Sequence, residues 1–173
     1  IMFLNKIGGD YVAFDMDDVH VLATGLHFPE GPVFDGAGRL WCVEQEGESL
    51  ACRLPDGTLE RVHVGGRPNG AVLQDDYLWF CDSGQNAIRR IHIDSRDVET
   101  IVNNVAGHAL SMPNDLLFDE AGNLLFTCPG PPDGSLTGYV VVYTPSGTTE
   151  LIAENLFYPN GIALFPDNRS LVV

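Results

Sequence analysis

The sequence predicts an all-β protein built as a β-propeller from repeated four-stranded blades, on three observations. One phrase occurs four times: a proline, then Glu or Asn, then Gly or Asp, then an apolar run. It reads Pro29-Glu30-Gly31-Pro32-Val33-Phe34, Pro68-Asn69-Gly70-Ala71-Val72-Leu73, Pro113-Asn114-Asp115-Leu116-Leu117-Phe118 and Pro159-Asn160-Gly161-Ile162-Ala163-Leu164. The prolines stand 39, 45 and 46 residues apart, a period that belongs to repeat architectures. Apolar runs and Gly/Asp turns alternate after each copy in the same order, and no stretch sustains a helical period.

The first hairpin of each copy is read from its turn. Asp35-Gly36-Ala37-Gly38 leads into Leu40-Trp41-Cys42-Val43, and Gln74-Asp75-Asp76 into Tyr77-Leu78-Trp79-Phe80-Cys81. Asp119-Glu120-Ala121-Gly122-Asn123 leads into Leu124-Leu125-Phe126-Thr127-Cys128, and Pro166-Asp167-Asn168 into Leu171-Val172-Val173. Gly and Asp allow tight reversals, and the flanking aromatic and β-branched residues suit strands. A second hairpin follows in three copies: 49–54 into 58–64, 87–93 into 98–102 and 139–143 into 149–153. Alternation such as Arg89-Arg90-Ile91-His92-Ile93 gives these outer strands one wet face.

Four antiparallel strands every ~40–50 residues are the pattern of a propeller blade, which needs neighbours to cover its faces. A sandwich has no reason to repeat one phrase at one position. The blades are expected at about 31–64, 70–102 and 115–152, with an incomplete one at 161–173. Residues 11–24 match the outer half of the third copy, so they are expected to give the outer strands of the closing blade, completed by C-terminal strands. The chain reaches only the second strand of a fourth blade, which implies a piece of a longer chain, about three and a half blades plus that outer pair.

Nine basic against 24 acidic side chains give a formal charge of −15. That disfavours nucleic acid and anionic membranes, both of which need a basic footprint. There is no run of 18 apolar residues to span a membrane. Residues 1–11 lack the charged start and long apolar core of a signal peptide. Cys42, Cys52, Cys81 and Cys128 form no close Cys-x-x-Cys pair and read as reduced core thiols. A cytoplasmic protein is expected.

In a propeller the innermost strands line a central channel, so equivalent positions of different blades converge there. The residues after the prolines, Glu30, Asn69, Asn114 and Asn160, offer hard oxygen atoms that suit Ca²⁺ or Mg²⁺ and accept Mn²⁺ or Zn²⁺. One carboxylate would hold an ion weakly, so a further acid is expected beyond residue 173. Asn-Gly is also a common turn pair, and for Asn69 that reading stays open. Glu44, Asp82 and the Cys128-Pro129 pair follow second strands and are expected to rim the channel. Residues 129–134 read as a loop able to cap one end.

The phrases Phe28-Pro29-Glu30-Gly31-Pro32, Ser111-Met112-Pro113-Asn114-Asp115-Leu116 and Tyr158-Pro159-Asn160-Gly161-Ile162-Ala163 resemble the SMP-30/gluconolactonase family, over residues 19–173. The resemblance implies a six-bladed propeller with one divalent cation in the channel, held by a Glu, two Asn and an Asp. It places the Glu on Glu30 and the Asn pair on Asn114 and Asn160. The Asp, which also serves as general base, falls beyond residue 173. Asn69 falls at a substrate position, and Asp82 is expected to help orient the substrate. The implied activity is metal-dependent hydrolysis of a small sugar-type lactone, with Ca²⁺ the first candidate ion. A calcium-dependent aryl-ester or organophosphate hydrolase and a non-catalytic metal-binding propeller are the alternatives. Phe126-Thr127-Cys128-Pro129 departs from the Phe-Thr-Asp-Pro of many members.

Overall fold

The computed structural model describes residues 19–173 and, before them, the backbone of two short paired strands, β1 (Lys6–Ile7) and β2 (Asp10–Tyr11). Three four-stranded antiparallel sheets follow, each in sequence order. The first is β3 (Pro29–Phe34), β4 (Leu40–Glu44), β5 (Ser49–Arg53) and β6 (Leu59–His63). The second is β7 (Pro68–Gln74), β8 (Tyr77–Asp82), β9 (Ala87–His92) and β10 (Val98–Val102). A small hairpin, β11 (Asn104–Val105) with β12 (His108–Ala109), precedes the third sheet. That sheet is β13 (Leu116–Phe118), β14 (Leu124–Cys128), β15 (Gly138–Tyr143) and β16 (Thr149–Leu156). A last pair, β17 (Ala163–Leu164) with β18 (Leu171–Val172), repeats the opening hairpin of the sheets before it. This all-β set of four-stranded meanders is the architecture of β-propeller blades.

The turns form for local reasons. The Asp35 carboxylate accepts the N–H groups of Ala37 and Arg39, and Asp119 does the same for Ala121 and Asn123. A side chain that caps its own turn in this way closes the hairpin without outside help. In the second sheet Gln74 pairs directly with Tyr77, and Asp75 takes the left-handed conformation (φ 53°) that so short a reversal needs.

Packing explains the unusual run of apolar residues in each second strand. Leu78 and Phe80 of β8 point to the first sheet and join Trp41, Val43, Leu50 and Cys52. Trp79 and Cys81 point the other way and join Leu124, Phe126, Cys128 and Val141 of the third sheet. A strand buried on both faces loses the polar alternation that β6 and β10 keep on their exposed side. The core is therefore a stack, sheet on sheet, rather than one central cluster. All four cysteines are unpaired thiols buried in it. Burial raises the Cys42 thiol to about 11 and the Cys128 thiol to about 12.

The segment expected as outer strands of a closing blade, 11–24, is described only in part, and its first residue, Tyr11, lies in β2. Residues 12–18 lie outside the described residues, and 19–24 contain no strand. The Leu22 carbonyl accepts from Arg53 Nε at 2.9 Å and the Gly25 carbonyl from Arg61 Nη2 at 2.8 Å. Arginine side chains of the first sheet thus tie this segment to it. No helix among the described residues is long and apolar enough to cross a membrane.

Phe126 and Phe80 are wholly buried in the two interfaces between sheets. Phe126→Ala is expected to lower unfolding stability by about 3–5 kcal/mol in a denaturant titration, from lost transfer energy plus the cavity left behind.

Candidate functional site

The first three phrases lie side by side, because β7 packs against β3 and β4 on one side and β13 on the other. Their approach is closer than ordinary strand packing. Gly70 N donates to the Asn114 carbonyl at 2.7 Å. A Cβ on Gly70 would sit 2.6 Å from Asp115 Oδ1, and one on Gly31 would sit 2.5 Å from the Ala71 nitrogen. Such distances leave no room for a side chain. Gly70 lies inside β7 and has no positive φ. The turn reading of Asn69-Gly70 therefore gives way: this glycine is required by close approach, not by a reversal.

The third and fourth phrases are stitched in a different way. Asp115 Oδ2 accepts the Ile162 N–H at 3.0 Å, and Thr127 Oγ1 donates to the Asn160 carbonyl at 2.7 Å. Asp115 thus takes the place of the usual glycine and spends its carboxylate on the backbone of the next phrase.

Glu30, Asn69, Asn114 and Asn160 all open on one cavity of about 500 Å³. The four residues after the prolines are therefore brought together, from positions up to 130 residues apart. None of their side chains has a hydrogen-bond or ion-pair partner among the described residues. Asn69 and Asn114 are half-buried, while Glu30 and Asn160 are exposed. Phe28, Gln45 and Tyr158 complete the wall. An adjoining cavity of about 270 Å³ shares Asn69 and Asn114 and adds Arg67, Met112, Pro129 and Pro132. The loop at 129–134 therefore does border the site.

The donor set has the chemistry of a hard-cation site, with one carboxylate and amide oxygens, but it is short of charge and of ligands. Ca²⁺ takes six to eight oxygens. No group of three or more His, Cys, Asp or Glu side chains that could hold a metal occurs among the described residues. An ion here would rest on Glu30 and on amide oxygens, with room left for further donors.

Asp82 is placed elsewhere. It is fully buried and is absent from the walls of both cavities. Its Oδ1 accepts the N–H groups of Arg67, Gly84 and Gln85, and its Oδ2 pairs with Arg89 Nη1 at 2.8 Å. A carboxylate so committed has nothing left for a substrate. Glu44 has the same position and the same work in the first sheet. It accepts His27 N at 2.9 Å and Arg61 Nε at 2.7 Å. Each acid pairs across its hairpin with the phrase proline and fixes the loop leading into it.

The loops before three of the four phrase prolines are strained. Phe28, Met112 and Tyr158 directly precede phrase prolines, and all three are left-handed, with φ of 56°, 54° and 47°. The conformation is costly for large side chains and persists only where the surroundings hold it. It turns Phe28 and Tyr158 into the cavity wall. The aromatic-proline pairs are visible in the sequence, but nothing there marks them as wall residues, and nothing marks Gln45.

Residues 28–173 match the SMP-30/Gluconolactonase/LRE-like region. The chain belongs to this family. Among curated proteins a gluconolactonase of Zymomonas mobilis is 30% identical over 184 residues, covering 90% of this chain and 51% of that protein. A solved structure described as a gluconolactonase of Xanthomonas campestris superposes with a TM-score of 0.77 at 26% identity, over 87% of this chain and 55% of that one. The calcium-binding protein regucalcin of Agrobacterium tumefaciens shares the fold, with a TM-score of 0.68 at 17% identity, over 86% and 50% of the two chains. The chain thus spans about half the length of these family relatives.

Burial works to raise the Glu44 carboxyl, but hydrogen bonds from Arg61 and the His27 N–H outweigh it and hold the group below the ordinary glutamate range. A depressed folded-state pKa adds stability that is fully present above the unfolded value and is lost as pH falls through the folded one. Glu44→Gln is expected to flatten the acid limb of unfolding free energy plotted against pH, measured by urea titration from about pH 7 down to about 3. An unchanged slope would refute the assignment.

Proposed function

We propose that the protein hydrolyses a small sugar-type lactone to its hydroxy acid, using one divalent cation in the channel of a six-bladed β-propeller. The observation that carries this reading is the cavity itself, with four oxygen-donor side chains converging on it and none engaged elsewhere. Membership of the family and the likeness to gluconolactonases support it. The three four-stranded sheets and the β17–β18 hairpin would form consecutive blades of that ring.

Glu30, Asn114 and Asn160 are assigned to the ion. Glu30 supplies the negative charge and the two amides supply neutral oxygens, a set that favours Ca²⁺ because it tolerates irregular oxygen shells. When bound, the ion would polarise the lactone carbonyl and acidify a water. Asn69 lies beside them with both a donor and an acceptor, so it can bind a ring hydroxyl in either sense. Asp115 is not assigned to the ion, since both its oxygens accept backbone N–H groups. The general base is assigned to an Asp beyond residue 173, as the family resemblance implies; among the described residues Glu30 and the engaged Asp115 are the carboxylates on the cavity wall. Four buried unpaired thiols support a reducing, cytoplasmic setting.

The test follows proton release from a panel of aldonolactones by the intact protein, with a chelator and then with Ca²⁺, Mg²⁺, Mn²⁺ or Zn²⁺ restored in turn. Turnover should stop with the chelator and return with one ion. Glu30→Gln should weaken that ion's binding and lower kcat/KM on the order of a hundredfold, the scale of losing one charge-stabilising group. Ion affinity and turnover both surviving Glu30→Gln would sink the reading.

A further inference from the structure

The third sheet fixes its proline loop without a carboxylate. In the first two sheets Glu44 and Asp82 end the second strand and accept an N–H of the loop, that of His27 or Arg67. Each acid is balanced by an arginine, Arg61 on β6 or Arg89 on β9. The matching position in the third sheet is Cys128, at the end of β14. Following the strand registers, the place of Arg89 is taken by Val141 and that of Arg61 by Leu151. Val141 lies in the apolar core and Leu151 packs against it. A carboxylate at 128 would be buried without the arginine partner its counterparts have, which is costly.

The loop N–H is served instead by a neutral group. Tyr139 pairs with Cys128 across β14 and β15, and its hydroxyl accepts the Ser111 N–H at 2.8 Å. The Cys128 thiol lies against the same hydroxyl. The peptide units around it are fixed as well. Gly130 N donates to the Ser111 carbonyl at 3.3 Å, and Met112 N donates to Asn86 Oδ1 at 2.8 Å. Asn114 N donates to the Thr127 carbonyl at 3.0 Å. Between these anchors stands Met112 with its φ of 54°, followed by Pro113 and then Asn114.

We infer that Tyr139 is a positioning residue: its hydroxyl holds the strained Ser111-Met112-Pro113 turn and thereby aims the Asn114 amide into the cavity. The inference rests on the proposed ion site for what Asn114 is aimed at. It also accounts for the Cys128 departure from the family pattern. A neutral Cys–Tyr pair does in an apolar interface what an acid–arginine pair does in the two neighbouring sheets.

The experiment compares Tyr139→Phe with Tyr143→Phe in the intact protein. The control removes a hydroxyl from the same strand, at its far end, away from both cavities. Hydrogen exchange in the ion-free protein should show the Ser111 amide losing at least about tenfold protection in Tyr139→Phe alone, because that N–H loses its acceptor. Calorimetric titration with Ca²⁺ alone should show about tenfold weaker binding in Tyr139→Phe, the usual size of a supporting-group effect, and no change in the control. Unchanged Ser111 exchange overturns the inference. So does lost protection with unchanged Ca²⁺ affinity, which would make the contact merely structural. Failure of the unsubstituted protein to bind Ca²⁺, Mg²⁺, Mn²⁺ or Zn²⁺ would overturn the proposed function, and the aim of Asn114 with it. Binding by the unsubstituted protein with equal affinity in Tyr139→Phe would overturn only the role of Tyr139.

Discussion

The closeness of the innermost strands governs the rest of this structure. Gly70 N reaches the Asn114 carbonyl at 2.7 Å, and there is no space for a side chain at Gly70 or at Gly31. Sheets packed through ordinary side chains stand about 10 Å apart. Here the backbones meet at one end, so the residues beside those glycines are carried onto a common cavity. The phrase keeps a small residue at that point for this reason. Where it has Asp115 instead, the longer side chain reaches across and binds the neighbour's backbone.

The polar groups near the cavity divide by burial. Those that are fully buried, Glu44 and Asp82, are saturated with N–H donors and arginine and work as scaffold. Among the half-buried and exposed ones, Glu30, Asn69, Asn114 and Asn160 are left unengaged, while Asp115 is committed to backbone N–H groups. That is the division expected of a site, because a buried charge must be paired and only a reachable one can remain open to a ligand. It also explains why Asp82 looked like a candidate and is not part of the cavity. An acid at the end of an inner strand is equally well placed to rim a channel or to lock a loop, and only its partners decide.

The left-handed residues before the prolines join scaffold to site. Phe28, Met112 and Tyr158 keep a conformation that large side chains avoid, and the loops of Phe28 and Met112 are tied down by side-chain and backbone hydrogen bonds. Each marks the point where the chain enters a phrase proline and with it the next sheet.

Much of this was legible in the amino-acid order. The repeated phrase, the Gly/Asp turns and the apolar second strands were enough to predict three four-stranded sheets and to single out the four residues after the prolines. Periodicity and turn chemistry are local, so a sequence displays them directly. Its segment at 11–24 reads as strand by the same local rules, yet 19–24 form none, and the Leu22 and Gly25 carbonyls nearby accept from Arg53 and Arg61. The meaning of each glycine, the commitment of Asp82, the wall residues Phe28, Gln45 and Tyr158, and the exchange of an acid–arginine pair for Cys128 and Tyr139 were decided only by tertiary structure. Each depends on which atoms from other sheets stand within hydrogen-bonding or van der Waals distance, and no spacing along one chain encodes that.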